Sequence, residues 1–317
     1  MLGEALVDLT ADDRPQVPGG LAMTARAGGS PANVAIGLAR LGVHTSFAGR
    51  ISGDPLGTFL RAQLERSDVD LALAIDASEP TTVAIVGLDE AGAAAYTFYL
   101  DGTADWQWVP AELPANVAGA AVHTGSLAIA LEPGAQVLAD WIATQRARDV
   151  FISLDPNVRP ALVLERPGYR PRLEALIAQA QLVKASDDDL QALEPGVDPL
   201  ETATAWAQRG PDLVVVTHGA AGSTAIVAGR EPVRCEAAAV RVVDTVGAGD
   251  AFAAGLIAFL AEAAGLRPGA CAQLDREALT RALRFAGLVA AITCTRRGAD
   301  PPRRAELAAA AALDRPN

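Results

Sequence analysis

Short runs rich in β-branched residues alternate with longer segments of helical periodicity along the whole 317-residue chain. This alternation is typical of βαβ units, in which helices cover both faces of a mostly parallel sheet. We therefore predict an α/β fold, a three-layer sandwich whose mostly parallel central sheet is flanked by helices. The candidate strands are residues 46–51, 122–126, 150–154, 181–184 and 213–217. Several end in a polar residue, and open α/β sheets bind ligands beyond the carboxyl ends of their strands.

Residues 81–101 depart from this rhythm. They contain two alternating runs, TTVAIVGL and AAAYTFYL, on either side of the turn sequence DEAG. Such a pattern predicts an antiparallel hairpin. Together with residues 9–27 we interpret it as a small β lid within a single domain that spans residues 1–317. An edge hairpin of the main sheet is the alternative interpretation.

The charge and the cysteine content restrict the expected partners and compartment. The chain has 26 basic and 38 acidic residues and a formal net charge of −12, so we expect neither nucleic acid nor membrane as a partner. The three cysteines and three histidines are scattered, which argues against a disulfide framework and a histidine-based metal centre. Because the N-terminus carries no basic and apolar leader, we expect a cytoplasmic protein.

The only lysine is Lys184, and no P-loop glycine spacing precedes it. A Walker-type nucleotide site is thereby excluded. Phosphate chemistry in this chain has to use backbone N–H groups, helix N-termini, arginines and metal ions in place of the P-loop lysine.

Residues 242–256, VVDTVGAGDAFAAGL, carry the strongest chemical signal. A β-like run enters a glycine-rich turn and continues as a helix, so Gly247, Ala248 and Gly249 would present N–H groups to a γ-phosphate. Asp250 is a carboxylate beside this anion site, where it has a role as the base that takes a proton from an incoming hydroxyl. A carboxylate that only caps the helix is the alternative.

Residues 27–42, AGGSPANVAIGLARLG, have the pattern of a complete helix with Ser30 as its N-cap. This pattern leaves three residues unexplained. Gly28 and Gly29 let a ligand approach the backbone, and the amide of Asn33 can both donate to and accept from sugar hydroxyls.

Other candidate sites lie at predicted strand ends. Residues 214–222, VVVTHGAAG, form a buried strand and a T-x-G-x-x-G turn, which suits either a nucleotide site or a plain connection between strands. Asp8 and the segment DPNVR at 155–159 are also at or past strand ends, where turn or helix caps would explain most of them. The acidic run at 187–189 suits either a magnesium ion or a helix that begins after Ser186 as N-cap.

Taken together, AGGSPANVAIGLARLG near the start and DTVGAGDAFAAGL near the end resemble the two signatures of the ribokinase-like (PfkB) carbohydrate kinases. Intervening segments, among them ISGDPLG, DGTADWQW, SLDPNVRP and KASDDDL, look like those of bacterial fructokinases. The resemblance implies a ribokinase-like fold with a β lid over the sugar. It also implies an enzyme that uses ATP and Mg²⁺ to phosphorylate a sugar primary hydroxyl, with D-fructose giving fructose 6-phosphate. A homodimer is left open.

The resemblance also implies roles for individual residues. Asp250 resembles the base that deprotonates the sugar hydroxyl, and Gly247, Ala248 and Gly249 resemble its anion hole. By motif, sugar contacts are implied for Asp8, Gly28, Gly29, Asn33 and Arg159, nucleotide contacts for Lys184, Ser186, Thr217, Gly219 and Gly222, magnesium for Asp189, and a monovalent cation such as K⁺ for Asp244.

Three departures from the family pattern bear on these roles. The family's N-x-x-E element is here Ser186-x-x-Asp189, Gly287 stands where relatives usually have asparagine, and only two residues precede GEALVDL, which shortens the strand leading to Asp8. The alternatives are the same chemistry on 2-keto-3-deoxygluconate, ribose or a nucleoside, and a catalytically dead sugar-sensing protein. A basic residue at the sugar end would favour the sugar acid. A nicotinamide oxidoreductase is disfavoured because GEALVDL lacks the G-x-G-x-x-G fingerprint.

Overall fold

The computed structural model describes residues 1–11, 20–88, 94–117 and 119–307. Within these residues the strands, in chain order, are β1 (Leu6–Ala11), β2 (Met23–Gly28), β3 (Arg50–Ser52), β4 (Ile75–Ala77), β5 (Val83–Leu88), β6 (Ala94–Tyr99), β7 (Ala121–Gly125), β8 (Phe151–Asp155), β9 (Leu182–Ser186), β10 (Leu213–Thr217), β11 (Ser223–Ile226) and β12 (Val233–Cys235). The α-helices are α1 (Ser30–Arg40), α2 (Pro55–Glu65), α3 (Gly134–Arg146), α4 (Pro160–Val163), α5 (Tyr169–Gln179), α6 (Asp187–Leu193), α7 (Pro199–Ala207), α8 (Ala248–Ala263) and α9 (Arg276–Cys294). None of the described helices has the length and apolar character needed to cross a membrane.

A six-stranded sheet forms the central layer, in the order β12-β11-β10-β9-β8-β7. Strands β7 to β10 pair in parallel, and β11 and β12 are added in antiparallel orientation. Four of the predicted strands, at 122–126, 150–154, 181–184 and 213–217, coincide with β7 to β10 apart from small shifts at their ends. The predicted fold class is confirmed.

Alternation along the central strands builds a core on each face of the sheet. In β10, Leu213 and Val215 belong to the cluster that contains α1, α8 and α9, whereas Val214 and Val216 belong to the cluster that contains α3, α5 and α7. Since both faces are covered by helices, the strand is a continuous apolar run instead of an alternating one.

The strand predicted at residues 46–51 is confirmed only at its end, because β3 begins at Arg50. Ala48 makes only an isolated bridge with Leu2, and β3 pairs with β4 in a separate two-stranded sheet. The reason is the short stretch around Leu2, whose N–H donates to the carbonyl of His123 in β7 at 2.9 Å. These few residues connect the segment to the central layer without forming a ladder.

A four-stranded sheet, in the order β2-β1-β5-β6, lies apart from the central one. Strand β1 pairs in antiparallel orientation with β2 and in parallel with β5, and β5 and β6 form the hairpin within residues 81–101. The hairpin thus belongs to this sheet and not to an edge of the main sheet. The connections at 12–19 and 89–93 lie outside the described residues.

The two faces of the four-stranded sheet differ in character. Val7, Leu9 and Ala27 belong to an apolar cluster with residues of α1 and α2. Strand alternation sends Asp8 and its cross-strand partner Arg26 to the opposite face. We call that opposite face the polar face of the sheet.

Candidate active site

Three parallel strands end side by side at one edge of the central sheet. Strand β8 ends at Asp155, β9 at Ser186 and β10 at Thr217, and Ser186 and Thr217 are paired in register. The first turn of α8 lies at the same edge, because a Cβ placed on Gly249 would be 3.2 Å from the Nζ of Lys184 in β9. The structure therefore brings the strand ends and the glycine turn together.

The turn before α8 requires glycine at its first position. Gly247 is the N-cap of α8 with a φ of 75°, and a Cβ there would lie 2.4 Å from the Cβ of Ala299. Ala248 and Gly249 follow at the amino end of a 16-residue helix, where backbone N–H groups favour an anion. The N–H of Ala248 also donates to the carbonyl of Thr245 at 3.2 Å, so this donor is shared with the turn itself.

Asp250 lies in the first turn of α8 but does not cap that helix. Its Oδ1 accepts a hydrogen bond from Oγ of Ser30 at 2.6 Å, and its Oδ2 accepts one from Nδ2 of Asn33 at 2.8 Å. The residue is 8% exposed, and both donors come from the first turn of α1. The helix-capping alternative for Asp250 is therefore wrong.

Opposing influences act on the carboxyl group of Asp250. Burial raises its pKa, whereas the hydrogen bonds from Ser30 and Asn33 and the positive charges of Lys184 and Arg159 lower it. A buried carboxylate with such partners is typical of acid–base residues in active sites. The arrangement can accept a proton from a hydroxyl that replaces one of the two donors.

The prediction that Ser30 caps α1 is wrong by one residue. The N-cap is Gly29, with a φ of 97°, and a Cβ there would lie 2.6 Å from the carbonyl oxygen of Glu4. Ser30 is the first residue of the helix, and its hydroxyl bonds to Asp250 instead of to its own helix. The approach of the Glu4 carbonyl is a tertiary contact, which helix-capping rules do not reveal.

Asp8 lies on the polar face of the four-stranded sheet, directly against Gly28. A Cβ on Gly28 would be 2.5 Å from Oδ2 of Asp8, so this glycine leaves room for the carboxylate. Burial raises the pKa of Asp8 to about 6, and the positive charge of Arg159 opposes the rise. The same guanidinium acts on Asp250, so it is close to both carboxylates.

The only lysine, Lys184, is buried at the edge of the central sheet where β8, β9 and β10 end. Nζ of Lys184 donates to Oδ2 of Asp155 at 3.0 Å, and the two side chains are 7% and 1% exposed. Burial lowers the pKa of Lys184, but the charges of Asp155, Asp189 and Asp250 outweigh it and the net shift is upward. The ammonium group therefore stays charged beside the glycine turn.

Asp189 connects two of the candidate segments. Its Oδ2 accepts from the backbone N–H and the Oγ of Ser186 at 2.8 and 2.6 Å, which closes a capping box at the start of α6. Its Oδ1 accepts from the N–H of Val158 at 2.6 Å, in the loop where Nη1 of Arg159 donates to Oδ1 of Asn157. The N-cap at Ser186 is confirmed, and Asp189 anchors the loop that contains Arg159. Its role as a magnesium ligand stays a prediction.

The T-x-G-x-x-G turn that follows Thr217 links β10 to the antiparallel β11. Gly219 has a φ of 54° and Gly222 a φ of 102°. A Cβ on Gly222 would lie 2.0 Å from the carbonyl oxygen of Cys235 in β12. The turn is thus a connection between strands. It lies beside the start of α6, and the nucleotide contacts expected of the turn stay a prediction.

His218, which was not among the predicted site residues, holds this turn in place. Its Nδ1 lies 2.8 Å from the carboxylate of Asp187, and its Nε2 lies 2.8 Å from Oγ1 of Thr224. The position of a histidine inside the turn motif was the only sequence signal for this role.

Asp244 ties the loop before α8 to the loop after α9. Its Oδ1 accepts from the N–H of Val246 at 3.0 Å, and its Oδ2 accepts from the N–H of Gly298 at 2.8 Å. The approach to Gly247 is anchored in this way. The assignment of Asp244 to a monovalent cation stays a prediction.

Arg26 lies on the polar face of the four-stranded sheet, as Asp8 does, and was not among the predicted site residues. It is the cross-strand partner of Asp8, and its Cδ and Nη1 lie 3.5 Å from the position that a Cβ on Gly298 would take. In the part of the chain that the structure describes, it has neither an ion pair nor a hydrogen bond through its guanidinium. A basic side chain thus lies on the polar face next to Asp8.

The described residues cannot hold a metal ion by themselves, so an ion at this site would need ligands from a substrate or from water. In residues 1–11, 20–88, 94–117 and 119–307, no three His, Cys, Asp or Glu side chains converge on one point. Mg²⁺ is usually held by one or two carboxylates together with substrate phosphates and water. Asp155 fits this use, because its Oδ1 is buried and has no hydrogen-bond partner among the described residues.

Comparison with known proteins agrees with this arrangement. A family model described as the pfkB family carbohydrate kinase matches residues 1–305. A fructokinase of Klebsiella pneumoniae is 36% identical over 264 residues, which cover 82% of this chain and 83% of the relative. The structure of fructokinase from Xylella fastidiosa with bound ATP has a TM-score of 0.87 at 27% identity and covers 98% of both chains. A double mutant of fructokinase from Vibrio cholerae O395, solved with fructose, ADP and a potassium ion, has a TM-score of 0.83 at 30% identity and covers 97% of this chain and 96% of that one.

Proposed function

The chain belongs to the pfkB family of carbohydrate kinases, and from this premise we propose that it transfers the γ-phosphoryl group of ATP to the primary hydroxyl of D-fructose that gives fructose 6-phosphate. The observation that carries the proposal is the position of Asp250, a buried carboxylate in the first turn of α8 that is bonded to Asn33 and close to the charge of Lys184. A base, an anion site and a cation meet at one point. Fructose is selected because the relatives named above are fructokinases.

The sugar is proposed to lie between the polar face of the four-stranded sheet and the first turn of α1. Asp8 would accept hydrogen bonds from sugar hydroxyls, Asn33 would both donate and accept, and Gly28 and Gly29 would permit close approach to the backbone. Arg159 would donate to the sugar or to the transferred phosphoryl group. In this proposal the sheet is a lid that excludes water from the reaction.

ATP is proposed to lie along the turn after β10, with its triphosphate directed at Lys184 and the first turn of α8. The nucleotide contacts would come from Lys184, Ser186, Thr217, Gly219 and Gly222. A magnesium ion that enters with ATP would supply positive charge to the phosphates, with Asp189, as the motif implies, and Asp155 as its carboxylate ligands. The potassium ion in the Vibrio cholerae relative supports a monovalent cation at Asp244.

The transfer needs little covalent participation by the protein. Asp250 takes the hydroxyl proton while the sugar oxygen forms a bond to the γ-phosphorus, and the bond from that phosphorus to the β,γ-bridging oxygen breaks, so ADP leaves with its electron pair. Positioning two substrates lowers the barrier by about 7–11 kcal/mol, an anion-hole donor by about 3–4 kcal/mol, and a base contributes about 10²–10⁴-fold. Orientation and electrostatics therefore outweigh proton removal.

A coupled assay of ADP release tests the proposal, using the wild-type chain with ATP, Mg²⁺ and a panel of D-fructose, ribose, 2-keto-3-deoxygluconate and adenosine. We expect the highest kcat/KM with fructose and fructose 6-phosphate as the product. A clear preference for another member of the panel would reassign the substrate. Sugar binding without ADP release from any member would identify a sugar-sensing protein instead of an enzyme.

Arg26 favours a second candidate substrate, the sugar acid 2-keto-3-deoxygluconate. Arg26 pairs across the strands with Asp8, and its guanidinium lies near Gly298 with no carboxylate partner in the described part of the chain. Arginine binds carboxylates through two parallel hydrogen bonds, so this one side chain could recognise a substrate carboxylate.

The sugar and ATP are proposed as the small-molecule partners. A cytoplasmic location and a homodimer stay predictions, and the mass of the purified protein in solution tests the latter.

A further inference from the structure

Ser30 presents its hydroxyl to the proposed base from a neighbouring helix. The distance of 2.6 Å between its Oγ and Oδ1 of Asp250 is typical of a hydrogen bond to a charged oxygen, and Ser30 is 7% exposed. Because Gly29 is the N-cap of α1, the serine makes no capping bond within its own helix. The buried hydroxyl therefore serves Asp250 and not the start of α1.

The two oxygens of Asp250 have different partners. Ser30 donates to Oδ1, whereas Asn33 donates to Oδ2. The sugar contact proposed for Asn33 requires its amide to turn from Oδ2 towards the substrate, which opens that oxygen to the sugar hydroxyl. Ser30 has no second task of this kind and can hold Oδ1 throughout the reaction.

The packing of α1 against α8 fixes the distance between the two side chains. Gly37 in α1 lies so close to Ala254 in α8 that a Cβ on the glycine would be 2.6 Å from the Cβ of the alanine. Helices in such close contact have little freedom to separate. The short side chains of Ser30 and Asp250 therefore meet in one geometry.

We propose that Ser30 is a positioning residue for phosphoryl transfer: it orients the carboxylate of Asp250 through Oδ1, so that Oδ2 faces the sugar hydroxyl and receives its proton. This inference rests on the proposed function, because it requires Asp250 to act as the base.

Loss of the serine hydroxyl has an electrostatic consequence that a purely structural role would not have. The bond from Ser30 lowers the pKa of Asp250, so removal of the bond should raise it. The other charged groups that act on Asp250 are Lys184 from β9, Arg159 from the loop after β8, Asp155 at the end of β8, and Glu4 ahead of β1. These four are the same in a Ser30 variant, so the difference between variant and wild-type pH profiles reports on the serine.

Three variants test the proposal with the sugar that the wild type phosphorylates. Ser30→Ala removes the donor, Ser30→Cys weakens it at similar volume, and Ser30→Thr keeps it. For Ala and Cys we expect kcat to fall about tenfold, the KM of the sugar to stay within about twofold, and the acid limb of kcat/KM to move up by about one pH unit. Ser30→Thr should keep the wild-type kcat and the wild-type acid limb. Wild-type kcat and an unshifted limb in a folded Ala or Cys variant would overturn the proposal.

A readout without turnover separates this proposal from the proposed function. In protein labelled with ¹³C at the aspartate carboxyls, the Asp250→Asn variant assigns the Asp250 signal and its titration gives the pKa. A higher pKa in Ser30→Ala, or in Ser30→Cys if the alanine variant does not fold, supports the bond whichever sugar is the substrate. Equal pKa values overturn it. A wild type that is inactive on the whole panel contradicts the proposed function instead.

Discussion

The ammonium group of Lys184 lies directly below the glycine turn of α8, where a Cβ on Gly249 would come within 3.2 Å of Nζ. Asp155 holds this lysine in the interior. In a P-loop the phosphate-binding glycines and the lysine belong to one short segment. Here the glycines come from the start of α8 and the charge comes from Lys184 in β9. The fold therefore assembles an anion site from two separate segments, and no local sequence motif predicts the part played by the lysine.

Replacing this lysine should therefore impair transfer more than sugar binding. Lys184→Met is expected to lower kcat about 10²-fold or more, because the charge that stabilises the transferred phosphoryl group is lost, with little change in the KM of the sugar. Burial already raises the pKa of Asp155, so the carboxyl left behind can become neutral. Initial rates at saturating ATP measure the effect. Arg170→Met, which removes a half-exposed cation from α5, is the control, and equal kcat values for the two variants would contradict the position assigned to Lys184.

Asp250→Asn should abolish most turnover while sugar binding persists. The amide has the shape of the carboxylate but accepts no proton, so kcat should fall about 10²–10⁴-fold. Calorimetric titration with the sugar should give a dissociation constant close to that of the wild type. Asp140→Asn, the same change at an exposed residue of α3, should keep wild-type kcat. Wild-type turnover in Asp250→Asn would show that another group removes the proton.

The sequence predicted the chemical groups better than the contacts between them. The glycine turn at 247–249, Asp250 and Asn33 were recognisable because helix starts and glycine turns are local features. Strands β7 to β10 were recognisable for a similar reason, since apolar runs bounded by turns are characteristic of buried parallel strands.

Contacts between distant segments were not predictable from local patterns. The cap of α1 moved to Gly29 because the carbonyl of Glu4 approaches it. Asp189 binds the N–H of Val158 in a loop about 30 residues away, and no periodicity encodes that bond. In each case the deciding partner comes from another part of the chain.

Arg26→Gln distinguishes the two candidate substrates. For fructose, which has no carboxylate, we expect kcat/KM to change less than about threefold, whereas for a sugar acid the loss of a charged hydrogen-bonding partner should lower it about 10–100-fold. Both sugars are measured on the same preparation, with Arg209→Gln, an exposed arginine next to α7, as the control. A large loss on fructose would show that Arg26 contacts the neutral sugar or holds the sheet in place.

Two glycines in the paired helices α8 and α9 should respond in opposite directions to the same change. A Cβ on Gly287 in α9 has no atom within 4 Å, whereas one on Gly255 in α8 would lie 2.9 Å from Cα of Ala286. Gly287→Ala should raise the free energy of unfolding by about 0.5–1 kcal/mol, because glycine in a helix interior is less favourable than alanine. Gly255→Ala should lower it by about 1–3 kcal/mol through overpacking. Denaturant unfolding measures both free energies. Shifts of the same sign would contradict the close packing of α8, the helix that carries Asp250, against α9.

Glu4 should make the protein less stable as the pH rises towards neutrality. It is 1% exposed, and burial raises its pKa from 4.5 to about 7. The folded state thus keeps this proton to a higher pH than the unfolded chain. The resulting stability is complete below about pH 4.5 and is lost as the pH rises through about 7, by at most about 1.4 kcal/mol per pH unit.

Glu4→Gln removes this titration and keeps an oxygen that can accept from the N–H of Ala128. Relative to wild type, the variant should gain free energy of unfolding between pH 5 and pH 8, by about 2–3 kcal/mol. Urea unfolding at the two pH values measures the gain. Glu65→Gln, at an exposed position in α2, should show none. Parallel pH dependence of wild type and Glu4→Gln would mean that Glu4 stays ionised in the folded protein, and the buried carboxyl would then need a cation that the described residues do not place beside it.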